Sequence, residues 1–182
     1  MTWIESVILG IVQGLTEFLP VSSSGHLIIF KEFFDVNTGG TTFEVMVHAG
    51  TVLSTIVVFR KDIRDLLKGF FAFKYSPQMG FVINILVSTL PLVLVYMLCK
   101  DFIDTLYEPP YNIMIVGYAL VATALLLTLT HFVKSSNKPV NMQNAFIIGI
   151  AQSVALLPGL SRSGTTISTG LLLGCRREDV AR

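Results

Sequence analysis

The sequence predicts an all-α fold, a polytopic membrane helical bundle with inverted-topology repeats and two re-entrant helical hairpins. Three observations predict it: an apolar composition, uncharged stretches long enough to cross a bilayer, and two copies of one polar break. The chain has 182 residues, of which 52% are hydrophobic and only 14% are charged, and its mean hydropathy is +0.69. Soluble domains carry about 25% charged residues, so this composition indicates a membrane protein.

The charge balance and the cysteines exclude other classes of protein. The chain has 13 Lys and Arg against 12 Asp and Glu, which gives a formal net charge of +1. Because nucleic-acid-binding domains carry a concentrated basic surface, we expect no nucleic-acid partner. Cys99 and Cys175 show no CxxC spacing, which argues against a disulfide framework or a zinc site.

Three segments are predicted to cross the bilayer. A hydrocarbon core about 30 Å thick needs about 20 apolar residues in a helix. Segments 81–99 and 109–130 meet this requirement without a charged residue. Segment 45–59 is shorter, and it reaches full length only if the same helix begins at Thr42.

Two further apolar regions are interrupted, and each half is too short to span. Segment 4–19 stops at Pro20, and apolar residues resume at 27–30 after three serines and a glycine. Segment 145–157 stops at Pro158, and 165–175 follows Gly164. We therefore predict two re-entrant helical hairpins. Irregular backbone at membrane depth is tolerated only beside protein or a wet cavity, so both breaks should line one.

The distribution of basic residues predicts the orientation of these elements. Basic residues near membrane spans collect on the cytoplasmic side. Segments 60–79, 131–142 and 174–182 hold most of the Lys and Arg, whereas the opposite side holds only Lys31 and Lys100. The amino terminus is therefore predicted outside, with the first hairpin entering from the outer side and the second from the inner side.

The two hairpins are copies of one unit. At a constant offset of 139 residues, 9–28 aligns with 148–167, with identity at Gly10/Gly149, Ile11/Ile150, Gln13/Gln152, Ser22/Ser161, Ser24/Ser163, Gly25/Gly164 and Ile28/Ile167. An odd number of predicted spans separates the copies, so they must lie in opposite orientations. This is an inverted-topology repeat, in which the site lies near the midplane where broken helices meet.

The repeat also predicts the domain organisation. Residues 1–134 form the first repeat, with a re-entrant hairpin in 1–42 and three spans, and residues 140–182 begin the second, inverted repeat. At the same offset, the partner of the first span would begin near residue 182. We therefore expect that the second repeat is truncated here and that a complete protein continues for roughly ninety residues, enough for three spans.

The first break carries groups suited to phosphate chemistry. Gln13 and Glu17 are four residues apart and share a helix face. Ser22, Ser24 and Gly25 open the next half-helix, whose free N–H groups and positive dipole end suit a phosphate. A carboxylate beside an anion indicates either a bridging divalent cation or a group that manages a proton.

Two histidines leave alternatives open. Ser23 and His26 are three residues apart, which suits a nucleophile and its base or a phosphate ligand and a proton donor. Glu44 and His48, four apart on the first predicted span, either face the same cavity or make only helix-end hydrogen bonds.

The second break supplies a cation. Arg162 lies between Ser161 and Ser163 and is followed by Gly164 and Thr166. Its planar fork of donors matches phosphate oxygens and stabilises charge that develops in phosphoryl transfer.

These two segments resemble a known family. Segment 13–26, QGLTEFLPVSSSGH, and segment 158–166, PGLSRSGTT, closely resemble the two signature motifs of the undecaprenyl-diphosphatase family, the bacitracin-resistance membrane phosphatases. The likeness covers the whole chain, including the TFEV sequence at 42–45.

The resemblance implies a role for each residue of the two breaks. Glu17 would be the essential acid/base or the metal-bridging carboxylate, and Ser23 the nucleophile or a phosphate ligand. His26 would be its base or a proton donor, and Arg162 the phosphate clamp. Gln13 lies where many relatives have a second Glu, and Gln ligates a metal without carrying charge. The phosphate cradle would comprise Gln13, Ser22, Ser24, Gly25, Ser161, Ser163, Gly164 and Thr166.

The resemblance also implies a reaction and a location. The substrate would be undecaprenyl diphosphate, a polyprenyl diphosphate lipid of the bilayer, hydrolysed to undecaprenyl phosphate and inorganic phosphate for cell-wall synthesis, with bacitracin resistance as a result. The cofactor would be Mg²⁺ or Ca²⁺. The enzyme would be a multi-pass protein of the bacterial plasma membrane, with its site open on the extracytoplasmic side.

Several alternatives remain at this point. The attacking group is either Ser23 or a water activated by Glu17. The alternative function is a polyprenyl-phosphate flippase or secondary transporter, because inverted repeats with broken helices are also a transporter architecture. Formation of a homodimer is left open by the sequence.

Overall fold

The computed structural model describes residues 1–36, 38, 42–72, 76–107, 111–133 and 137–181, with 111 and 112 described as backbone alone. Within these ranges the chain is helical, and the one β-type contact described there is an isolated bridge between Lys138 and Cys175. The helices are α1 Trp3–Glu17, α2 Ser23–Phe33, α3 Thr42–Val58, α4 Arg60–Phe71, α5 Pro77–Leu106, α6 Tyr111–His131, α7 Met142–Val154, α8 Arg162–Leu172 and α9 Arg177–Val180. The predicted all-α class is confirmed.

Two of the predicted spans are confirmed as long apolar helices. α5 has 30 residues, and within α6 the stretch Ile113–His131 has 19 residues; both are long and apolar enough to cross a membrane. α5 continues through Pro91, as membrane helices tolerate when neighbouring groups satisfy the freed carbonyl. Residues 109 and 110 of the second predicted span lie outside the described residues.

The third predicted span begins where the prediction required. α3 starts at Thr42 and has 17 residues. It is followed after Phe59 by α4, and the two helices are bent by 76°. The bent pair counts as a third crossing only if both helices are taken together. With its apolar helices, the chain is a multi-pass membrane protein.

Large apolar side chains cover the outer surfaces of the long helices. On α5, Met97 and Leu98 are each 75% exposed, and on α6 Tyr118 is 72% exposed. Such faces are costly in water and are suited to lipid tails. The exposure pattern therefore agrees with a bilayer around α5 and α6.

Both predicted hairpins are interrupted at the predicted places. α1 packs on α2, and α7 packs on α8. The second half-helices begin directly after Ser22 and Ser161, which act as their N-caps. The insertion of these pairs into the bilayer from opposite sides, and the repeat boundaries at 1–134 and 140–182, stay predictions.

A small core lies behind the first break. Leu9 of α1, Leu27 of α2 and Val36 are buried together. Phe43 and Val47 of α3 pack against them. This cluster fixes α1, α2 and α3 against one another, and it thereby positions the polar side chains at their ends.

The equivalent glycines Gly10 and Gly149 lie in different surroundings. A Cβ atom added to Gly149 would lie 2.9 Å from Cα of Ser88, because α7 packs closely on α5 there. A Cβ atom on Gly10 would meet nothing within 4 Å. Glycine is therefore required for packing at position 149 and is not required at position 10 among the described residues.

Gly149→Ala is expected to destabilise the fold by about 1–3 kcal/mol, because the added methyl group collides with backbone that cannot rotate away. Gly10→Ala, the matched control, should stabilise α1 by about 0.5–1 kcal/mol, since Gly weakens a helix interior. The measurement is SDS titration of the purified chain followed by circular dichroism. Equal midpoints for the two variants would contradict the packing assignment.

Candidate active site

The site begins at the last turn of α1, where Gln13 and Glu17 lie on one face as predicted. Nε2 of Gln13 donates a hydrogen bond of 2.9 Å to Oε2 of Glu17. Gln13 is 1% exposed, and its Oε1 atom is buried with no hydrogen-bond partner among the described residues. A buried acceptor without a partner is costly, so this oxygen is available to a ligand.

Glu17 also binds the start of α2. The Ser23 hydroxyl donates a short hydrogen bond to Oε2 of Glu17. The imidazole Nε2 of His48, on α3, lies 3.8 Å from the same oxygen. One carboxylate oxygen thus joins three helices, and it lies beside the break in the first hairpin.

His26 is held by the backbone of the first break. Its Nδ1 lies 2.8 Å from the carbonyl oxygen of Ser22. Because a carbonyl only accepts, Nδ1 carries the hydrogen and donates it. Among the contacts of the described residues, Ser23 is therefore paired with Glu17, and no hydrogen bond joins Ser23 to His26.

The helix hydrogen bond predicted for Glu44 and His48 is present, and His48 also approaches Glu17. Nδ1 of His48 donates to the Glu44 carbonyl oxygen at 2.8 Å, a helix hydrogen bond, and Nε2 faces Glu17. The Glu44 carboxylate forms an ion pair with Lys31 of α2. Sequence analysis missed this pair, because its members are separated by 13 positions and no local spacing indicates the contact.

The two breaks have the same capping pattern at equivalent positions. The Ser22 hydroxyl accepts from the Gly25 N–H at 3.3 Å, and the Ser161 hydroxyl accepts from the Gly164 N–H at 3.0 Å. In each break the serine two positions after the cap is in hydroxyl contact with it, Ser24 at 3.4 Å and Ser163 at 3.3 Å. The aligned sequences therefore form the same local structure.

The caps leave backbone donors at the starts of both half-helices. In the hydrogen bonds of the described residues, the N–H groups of Ser23 and Ser24 in α2 have no partner, nor have those of Arg162 and Ser163 in α8. Free N–H groups at a helix N-terminus attract anions. Each break thus offers two donors to a phosphate.

The two breaks contact each other. A Cβ atom added to Gly25 would lie 3.1 Å from Cα of Gly159, and one added to Gly164 would lie 2.9 Å from the carbonyl oxygen of Pro20. At the offset of the repeat, Gly25 corresponds to Gly164 and Pro20 to Gly159. The contact is thus reciprocal, as in a self-complementary two-fold interface.

Helix α6 supports the second break directly. The N–H of Ser161 donates to the Thr123 hydroxyl at 3.1 Å. Gly159 has φ +87°, and a Cβ atom there would lie 2.7 Å from Cα of Val116. Both the left-handed backbone and the close approach to α6 require glycine at position 159.

Arg162 is exposed at the start of α8. Burial raises the pKa of the nearby Tyr107 phenol, and the positive charge of Arg162 lowers that pKa in part. No ion pair between Arg162 and Glu17 is present in the described parts of the chain. The structure therefore brings the two breaks together and leaves the guanidinium unpaired.

Thr166 lies apart from this arrangement. Its hydroxyl donates to the helix carbonyls of Arg162 and Ser163, and it lines a cavity of about 690 Å³ between α5, α7 and α8. Of the predicted site residues, Thr166 alone lines that cavity. This cavity is thus not where Glu17 and Ser23 lie.

The donors available for a metal ion are few. Among the described residues, no group of three or more His, Cys, Asp and Glu side chains is arranged to hold a metal. The Glu17 carboxylate and the unpaired Oε1 of Gln13 are neighbouring oxygen ligands. This set fits Mg²⁺, which is often held by one or two carboxylates together with substrate phosphates.

Comparison with known proteins identifies the family of the chain. Residues 6–182 match the family model described as bacitracin resistance protein BacA. The undecaprenyl-diphosphatase of Bacteroides thetaiotaomicron is 45% identical, and the match covers all of this chain and 69% of the relative. That of Parabacteroides distasonis is also 45% identical, with 100% and 68% covered. That of Korarchaeum cryptofilum is 39% identical, with 98% and 70% covered.

The fold and the paired breaks thus define a multi-pass helical membrane protein with a candidate phosphate site. The chain belongs to the bacitracin resistance protein BacA family. The resemblance drawn from segments 13–26 and 158–166 is confirmed.

Thr123→Val is expected to destabilise the protein by about 1–3 kcal/mol, because it leaves the buried N–H of Ser161 without a partner. Thr128→Val on the same helix is the matched control, since its exposed hydroxyl binds only the Ala124 carbonyl of α6. Thermal unfolding of both variants in detergent checks this. Equal losses would show that Thr123 does not hold the second break.

Proposed function

We propose that this chain hydrolyses undecaprenyl diphosphate to undecaprenyl phosphate and inorganic phosphate. Membership of the family supports this reaction, as does the similarity to relatives named undecaprenyl-diphosphatase. The observation that carries it to particular residues is the hydrogen bond from the Ser23 hydroxyl to Glu17 at the start of α2. A hydroxyl beside a carboxylate acceptor is the arrangement of an activated nucleophile.

In the proposed reaction, Glu17 acts as the base and Ser23 as the nucleophile. Glu17 takes the Ser23 proton while Oγ attacks the terminal phosphorus, and the bond from that phosphorus to the bridging oxygen breaks. Undecaprenyl phosphate leaves, the phosphoryl group stays on Ser23, and Glu17 releases its proton to solvent. The ionised carboxylate then takes a proton from a water molecule whose oxygen attacks the phosphorus. The bond from phosphorus to Ser23 Oγ breaks, Oγ takes that proton back from Glu17, and inorganic phosphate departs.

The phosphate oxygens are proposed to bind between the two breaks. The unpaired N–H groups of Ser23 and Ser24 and those of Arg162 and Ser163 supply donors of fixed direction. The exposed Arg162 guanidinium supplies the clamp. Donors that already point at the developing charge stabilise the transition state without reorganisation.

A divalent cation, Mg²⁺ or Ca²⁺, is proposed to bind at the Glu17 carboxylate and the free Oε1 of Gln13. When bound, it neutralises charge on the phosphate oxygens. Gln13 also orients Glu17 through its Nε2. The amide is therefore proposed both to bind the cation through Oε1 and to hold the Glu17 carboxylate in place through Nε2.

The histidines are proposed to act around this pair. Nδ1 of His26 donates its hydrogen to the backbone, and Nε2 makes no hydrogen bond within the described residues. We propose that Nε2 takes a proton from solvent and passes it to the departing undecaprenyl phosphate. His48 donates its Nδ1 hydrogen to the Glu44 carbonyl, and its Nε2 lies 3.8 Å from Oε2 of Glu17. His48 is therefore proposed to position the Glu17 side chain.

We place the reaction at the extracytoplasmic side of the bacterial plasma membrane. The concentration of basic residues in 60–79, 131–142 and 174–182 supports that orientation, although residues 73–75, 134–136 and 182 lie outside the described ranges. The flippase or transporter alternative gains no support from the names of the relatives.

Glu17→Gln is expected to lower phosphate release by about 10²–10⁴-fold, the contribution of a general base. The amide keeps the size of the side chain and removes its capacity to take a proton. Glu32→Gln, an exposed carboxylate on α2, is the control and should keep full activity. Phosphate release from undecaprenyl diphosphate in detergent measures both, and substantial activity in Glu17→Gln would refute this role.

A phosphorylated Ser23 is expected in enzyme quenched with acid during turnover, and it should be absent from Ser23→Ala. Intact-protein and peptide mass spectrometry detect it. Ser24→Ala is the comparison, because Ser24 is adjacent but makes no contact with Glu17. If Ser23→Ala retains most of its activity, water rather than Ser23 attacks the phosphorus.

A further inference from the structure

The short helix α4 differs from every other helix described here in how its charges are arranged. Arg60, Arg64 and Lys68 recur every four residues and lie on one face. Ile63, Leu67 and Phe71 are also spaced four residues apart, and they form an adjacent row on the helix surface. α4 therefore carries a cationic stripe directly beside an apolar stripe.

The direction of α4 is set by the sharp turn at its start. The chain bends by 76° between α3 and α4, with only Phe59 between them. A helix that continues a membrane crossing at such an angle runs along the bilayer surface rather than through it. Amphipathic helices that lie in the interface have this combination of a basic face and an apolar face.

One side of α4 is already occupied by α5. The half-buried residues Leu66, Gly69 and Phe70 lie on the side of α4 away from the cationic stripe, and a Cβ atom on Gly69 would meet the side chain of Gln78 on α5. The apolar residues Leu67 and Phe71 are not covered by this packing and remain 52% and 63% exposed.

The uncovered side of α4 forms a cleft with the end of α3. The cleft has a volume of about 530 Å³. Its apolar wall includes Ile56, Leu67 and Phe71, and its cationic rim is formed by Arg60, Arg64 and Lys68. Arg60 donates to the Val57 carbonyl, whereas Arg64 and Lys68 have no hydrogen bond or ion pair with any described residue.

We propose that this cleft binds an anionic phospholipid of the surrounding membrane. Arg64 and Lys68 contact the headgroup phosphate, and an acyl chain lies along Ile56, Leu67 and Phe71. The apolar wall favours a lipid over a soluble anion, and the two unpaired cations favour an anionic lipid over a zwitterionic one. The proposal concerns a surface separate from Glu17 and Ser23, so it does not depend on the proposed reaction.

The test uses the full chain in nanodiscs with a reporter in the cleft. Trp3 is the only tryptophan, so Trp3→Phe with Phe71→Trp leaves one fluorophore there. Leu67→Trp is a second reporter in case the first perturbs folding. Brominated phosphatidylglycerol and brominated phosphatidylcholine, at equal mole fraction, are compared as quenchers.

Phosphatidylglycerol is expected to quench the reporter preferentially, and added salt should weaken the preference. Arg64→Gln and Lys68→Gln should each lower the preference about fivefold. Lys61→Gln is the matched control, because it removes the same charge from an exposed position on α4 that does not line the cleft. It should leave the preference unchanged.

Three results would overturn the proposal. Equal quenching by the two lipids would show that the cations do not select a headgroup. Absence of quenching by either lipid would show that the cleft does not face lipid. A loss in Lys61→Gln as large as that in Arg64→Gln would reduce the effect to general surface charge.

Discussion

The contact between the two helix breaks is the constraint on which the rest of the structure depends. At Gly25/Gly159 and at Pro20/Gly164 the backbones are too close for any other side chain to fit without displacement. A half-helix that begins inside the protein leaves the backbone N–H groups of its first turn without partners. Burying such groups raises the free energy of the fold unless an acceptor binds them. Bringing two such ends together beside α6 concentrates these donors in one place, which is where the phosphate is proposed to bind.

Glu17 is the second feature on which the candidate site depends, because it lies where α1, α2 and α3 meet. Its Oε2 atom is close to side chains from α1, α2 and α3. The apolar cluster of Leu9, Leu27 and Val36 beneath them is formed by the same part of the chain. Packing therefore fixes the geometry of the carboxylate, and a rigid carboxylate is what proton transfer requires.

Local sequence patterns predict the breaks and the long helices well. Proline, glycine and serine act within a few residues, so the caps at Ser22 and Ser161 follow from spacing alone. The bend into α4 was not predicted, because a single residue separates two helical segments and the charges resembled a loop. The predicted span 81–99 lies within a longer helix of 30 residues. The helix extends beyond the uncharged segment at both ends, because charged residues do not terminate a helix. Contacts such as Lys31 with Glu44 depend on tertiary packing, which spacing does not encode.

The backbone at Ser22 has a consequence for which substitutions the chain tolerates. Ser22 has φ 68°, in the left-handed region, whereas its counterpart Ser161 has φ −69°. For a residue with a side chain this conformation costs about 1–3 kcal/mol. Glycine would relieve that cost but would lose the hydroxyl that caps Gly25, and alanine would keep the cost and lose the cap. Asparagine and aspartate satisfy both demands, so the backbone geometry at this position favours short polar side chains.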